Sequence, residues 1–190
     1  MAGIVKAEPA GGGFAGLSRL FQFVNEDGRK PETVCGQAAC ATLLTYYRAR
    51  AGDLSTLRAI EKSHPPDVLS GHLGTSPDRI ERTLKDYGVS SLTEVNDIAT
   101  LKRRVGANCP VICLIQNTAG LGGLFGTAHW FVVFAYDDAG VFVTNYSPIH
   151  LKWDDFSGKW NSPLTKLPFV VSFRGITTTT RDVRDKLTLP

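Results

Sequence analysis

An α+β fold is predicted by a change in hydrophobic pattern along the chain. Up to Val105 the apolar residues recur at three- and four-residue spacing between helix-capping signals. From Val111 onward they gather in short runs rich in valine, isoleucine and aromatics, as strands do. Asp137-Asp138-Ala139-Gly140 joins two of those runs as a tight turn, which makes the sheet antiparallel. Helices first and a sheet later, segregated along the chain, are the mark of this class.

Taken in order, residues 1–24 read as an arm. Ala7 to Gly16 has too little apolar content to pack, and Leu17 to Val24 is a short segment able to dock on a core. Asn25 to Glu32, with Gly28 and Pro31, is a loop. Thr33 is placed to cap a helix whose Ala38, Ala41, Leu44 and Tyr47 share one face. Gly52 ends that helix, and Asp53 caps a second one through Ile60 with Leu54, Leu57 and Ile60 inward. Ser63 to Gly74 holds two prolines and two glycines and is read as loop. Ser76-Pro77 starts a third helix carrying Ile80, Leu84 and Tyr87, and Gly88 closes it. Asp97 caps a fourth through Val105. Strands follow at Val111 to Ile115, Trp130 to Tyr136, Val141 to Asn145 and Phe169 to Phe173, with a glycine-rich loop at Gln116 to Thr127. Trp153 to Trp160 forms a short helix or turn. Residues 25–176 make up one domain and 177–190 a tail, and the stretch after Gly175, with four consecutive threonines, reads as a last strand or an ordered arm.

Bulk properties exclude several function classes. At 190 residues the chain suffices for one well-formed domain. Its net charge of +3 is mild, and Lys102-Arg103-Arg104, the densest basic run, suits the solvated face of a helix rather than a nucleic-acid footprint. No apolar run approaches the roughly 20 residues of a membrane span. The first residues lack the pattern of a secretory signal, so the expected location is the cytoplasm, or outside it by a route needing no cleavable signal. The four cysteines, Cys35, Cys40, Cys109 and Cys113, have no zinc-pair spacing, and neither a metal nor a cofactor is expected.

The chemistry centres on Cys35. In the first turn of a helix, free backbone amides and the positive end of the dipole favour a thiolate. Gly36 and the following alanines keep bulk away from the sulfur. The competing reading is a small buried apolar residue, common for unpaired cysteines. A nucleophile needs a base, and His129 supplies one. It opens the apolar strand His-Trp-Phe-Val-Val at the sheet's rim, whereas His64 and His72 lie in the proline- and glycine-rich loop and His150 follows Pro148. Counting back from the hairpin turn, Asn145 lands near the same end of the ribbon, where its amide oxygen can orient the imidazole.

Cys35-Gly36-Gln37-Ala38-Ala39 resembles the Cys-Gly-Pro-Ala-Ala element of papain-like cysteine peptidases. The branch that removes double-glycine leaders from bacteriocins is the most similar. Its histidine opens a His-Phe-Val-Val strand, and an Asp-Pro element follows the hairpin; His129 to Val133 and Asn145 to Pro148 hold those places here. The resemblance implies a papain-like fold, with the nucleophile's helix packed on the C-terminal sheet. It also implies a Cys35–His129–Asn145 triad with a thiolate–imidazolium pair, and acyl transfer from a peptide or isopeptide carbonyl. Two departures stand out. The family's oxyanion glutamine, six residues before the cysteine, is replaced by Arg29, leaving Gln22 or Asn25 as alternatives; losing such a donor costs about two to three orders of magnitude in rate. Gln37 stands where the family has proline. Phe125, Trp130, Gly36 and Gln37 are the residues expected at the substrate cleft. Three readings follow: a cysteine peptidase or related acyl-transfer enzyme acting on a peptide or protein; a catalytically impaired domain binding a leader peptide or partner protein; and a secreted bacterial effector or toxin, protease or deamidase, acting on a host or rival protein.

Overall fold

The computed structural model describes residues 3–6, 34–47, 54–68, 70–71, 74–94, 97–116, 128–144, 146–160 and 175–178. Helix α1 (Cys35–Tyr46) is buried on every side: Leu43, Leu44, Ala39 and Ala41 are fully enclosed. A helix apolar all round belongs in the interior, and its single-face reading from sequence was too narrow. Val34, not Thr33, is its N-cap, and no side chain caps it. The helix is therefore held by packing, as short helices in proteins usually are.

Helices α2 (Leu54–Ser63) and α3 (Pro77–Asp86) flank α1. The start of α3 follows the sequence signal in full: the Ser76 hydroxyl accepts from the Arg79 amide at 3.2 Å, with proline in the first turn. Ser76 also donates to Asp67 at 2.6 Å, which ties the preceding loop to the cap. Gly88 closes α3 with a φ of 84°, a conformation that glycine adopts at no steric cost. Asp97 caps α4 (Ile98–Gly106) by accepting from the Thr100 amide at 2.7 Å.

All strand pairings among the described residues are antiparallel. The strands are β1 (Val5–Lys6), β2 (Ser91–Glu94), β3 (Val111–Gln116), β4 (Ala128–Tyr136), β5 (Gly140–Thr144), β6 (His150–Lys152) and β7 (Gly175–Thr178), in the order β2-β7-β3-β4-β5-β6, with β1 on the far end of β4. The β4–β5 hairpin turns as expected, Asp137 accepting from the amides of Ala139 and Gly140. A β-bulge at Phe134 breaks its register, which is Val133↔Val143 on one side and Ala135↔Phe142 on the other. Helix α5 (Trp153–Trp160) packs Phe156 against Phe131 of β4, ring centroids 6.2 Å apart. Helices against the sheet leave β3 buried from Val111 to Ile115.

Short polar strands were missed from sequence. β2 and β6 carry too few apolar residues for a period-2 signal, and β1 lies within the expected arm. The last strand that the sequence offers after Gly175 is β7, which sits between β2 and β3. The expected strand at Phe169 to Phe173 lies outside the described residues.

Candidate active site

Cys35 opens α1, and its sulfur accepts from the backbone amide of Trp130 at 3.4 Å. That amide belongs to the peptide linking His129 to Trp130, so the fold sets the thiol against the strand that carries the expected base. His129 is half-buried in the second position of β4, opposite Ile115, with its ring 5.8 Å from that of Tyr146. Tyr146 in turn lies 5.7 Å from Phe131, which ties the ring beside the imidazole to the core. Asn145 lies outside the described residues, between Thr144 at the end of β5 and Tyr146. Gln22, Asn25, Arg29 and Phe125 lie outside them as well.

The electrostatics correct one expectation. Cys35 is only 5% exposed, and burial pushes its thiol from an ordinary 9.0 up to about 11; the amides of Trp130, Gly36 and Cys35 itself pull the other way and lose. Desolvating a thiolate outweighs the helix's first-turn amides. Cys40 and Cys113, deeper in the core, are driven higher still by burial and are packing residues.

The expected cleft residues sit differently from the sequence reading. Gly36, Gln37 and Trp130 are all buried. The Gln37 side-chain amide donates to the His64 carbonyl at 2.9 Å and accepts from the Thr75 hydroxyl at 2.8 Å. The Trp130 indole donates to the Thr75 carbonyl at 2.9 Å. Gln37 and Trp130 are therefore linked through Thr75. A polar residue in a helix's first turn looks accessible in sequence; only the loop folding over it shows otherwise. Thr75 was not singled out, because nothing in Gly74-Thr75-Ser76-Pro77 beyond the helix start marks it.

The other described histidines are engaged elsewhere. His64 pairs with Asp86 at 2.9 Å and with Ser63 at 2.9 Å. His150 stacks on Phe142, centroids 4.4 Å apart, and meets Asp137 at 3.2 Å. Among the described residues no cluster of His, Cys, Asp or Glu could hold a metal ion, and no helix is long and apolar enough to cross a membrane.

A cysteine at the head of a buried helix, set against the opening of a strand that carries histidine, defines the papain-like class of fold. The sequence model of the Peptidase_C39 like family matches residues 16–162, and the chain belongs to that family. A solved structure of a proposed C39-like peptidase from Bacillus anthracis is similar at a TM-score of 0.57 and 16% identity, over 87% of this chain and 97% of that one. A double glycine motif protease from an AMS/PCAT transporter, solved in complex with the leader peptide, is similar over 76% of this chain and 81% of its own, at 17% identity and a TM-score of 0.47. No curated protein matches the chain. Family and fold together support a cysteine peptidase.

Proposed function

We propose that the chain is a cysteine peptidase that cleaves a peptide or isopeptide bond with Cys35 as nucleophile, His129 as base and Asn145 as the group that orients the imidazole. The observation that carries this reading is the 3.4 Å contact between the Cys35 sulfur and the amide of the residue following His129. In this reading the Cys35 thiol gives its proton to His129, and the sulfur attacks the carbonyl carbon. The Cys35 amide, with Gln22 or Asn25, stabilises the resulting oxyanion. His129 then returns the proton to the departing amine, leaving a thioester that water hydrolyses with the same imidazole as base. A peptide or protein is the substrate class.

Alkylation by iodoacetamide tests this. The expected result is modification concentrated on Cys35, with a rate that levels off near neutral pH and falls by at least about tenfold in His129→Ala. Labelling of Cys35 no faster than of Cys109, or unchanged in His129→Ala, overturns the reading. It would favour the second one, a peptide-binding domain with an impaired site. The near-complete burial of the thiol and Arg29 in place of the family's glutamine are the observations on that side.

A further inference from the structure

Helix α1 and strand β4 meet although Cys35 and Trp130 lie 95 positions apart, half the chain. We propose that Thr75 is the positioning residue that clamps the first turn of the nucleophile's helix to the strand of the base. The inference rests on the peptidase reading above and deepens it.

Three contacts made by this one residue carry the proposal. Its hydroxyl donates to the Gln37 side-chain oxygen at 2.8 Å, and its carbonyl accepts from the Trp130 indole at 2.9 Å. Its side chain lies so close over Gly36 that a Cβ there would fall 2.6 Å from the Thr75 Cβ. With the Trp130 amide on the Cys35 sulfur, these contacts close a ring: Cys35, Gly36 and Gln37 along the helix, across to Thr75, on to Trp130, and back to the sulfur.

Each polar partner is already committed in one direction. The Gln37 nitrogen is taken up by the His64 carbonyl, which fixes its amide orientation and leaves the oxygen to accept from Thr75. Thr75 is itself buried, at 6% exposure, so water cannot substitute for the lost hydroxyl. The loop holding Thr75 is anchored one residue later, where Ser76 caps α3 and binds Asp67. The ring therefore has a rigid base, and a change in it moves the sulfur relative to His129. The departure from the family at position 37 acquires a reason here: a proline could neither accept from Thr75 nor donate to His64.

The test is the pH profile of Cys35 alkylation in the full chain. In Thr75→Val, which keeps the branched side chain over Gly36 and removes only the hydroxyl, the rate near neutral pH falls by about tenfold to a hundredfold. Its profile moves toward that of His129→Ala, where reaction grows only as the thiol ionises in alkali. Thr75→Ser, which keeps the donor, recovers most of the rate. Should Thr75→Val fold poorly, Trp130→Phe breaks the ring at its other link and shifts the profile the same way. A wild-type profile beside a Thr75→Val profile identical to it overturns the clamp and leaves the peptidase reading intact. A loss equal in Thr75→Val and Thr75→Ser also overturns it, since the hydroxyl is then irrelevant. A wild type whose Cys35 is not selectively modified, or is unaffected by His129→Ala, fails the peptidase reading first and the clamp with it.

Discussion

A thiol in the first turn of a helix feels two opposed effects, and at Cys35 their magnitudes decide the outcome. Amides from three residues favour the thiolate, yet burial wins and carries the group to about 11. Stability follows by linkage. Folding prefers the protonated thiol, so this contribution is fully present below about pH 9, the unfolded value, and is lost as pH rises through about 11. The difference in unfolding free energy between wild type and Cys35→Ala should therefore change by on the order of 2–3 kcal/mol across that window, against the wild type. Denaturant titrations at pH 8 and in alkali would measure it, and the comparison cancels the other buried thiols. A flat difference would mean that the sulfur reaches solvent more readily than its burial indicates. At this scale Cys35 and His129 were legible in the sequence as candidates, because each carries a chemical signature beside a structural boundary. Thr75 carries none, and its role comes from partners 38 and 55 positions away.

Elements behaved according to how local their causes are. The starts of α3 and α4 and the β4–β5 turn were readable because cap and turn residues bond to backbone within a few positions. Ser76→Ala should accordingly cost about 1 kcal/mol in a denaturation curve, from loss of the cap to Arg79 together with the bond to Asp67. An unchanged midpoint would show that Asp67 takes over the cap. Helix α1 is the opposite case. No side chain caps it, and its existence depends on enclosure by α2, α3 and β4. The short strands β2 and β6 follow the same logic, since a partner strand supplies what their sequences do not.

The whole molecule is closed by its far end. β7, contributed by residues beyond the stretch matched by the family, lies between β2 and β3 and satisfies both edges. A chain ending at residue 174 would leave the edge of the buried strand β3 unpaired, an opening to self-association. The expected outcome is loss of a sharp cooperative unfolding transition and association seen by light scattering. A monomeric, cooperatively folding truncation would show β7 to be dispensable.

By itself, the sequence determined the class of fold, the helices with local caps, the hairpin and the two residues whose chemistry suits nucleophile and base. These are signals that neighbouring residues generate among themselves. Tertiary structure alone decided that the helix beginning at Cys35 is buried all round, that burial raises its thiol's pKa despite the first-turn amides, and that Gln37 and Trp130 both bond to Thr75. Desolvation and long-range pairing depend on what the rest of the chain places around a group, and no short window of sequence contains that.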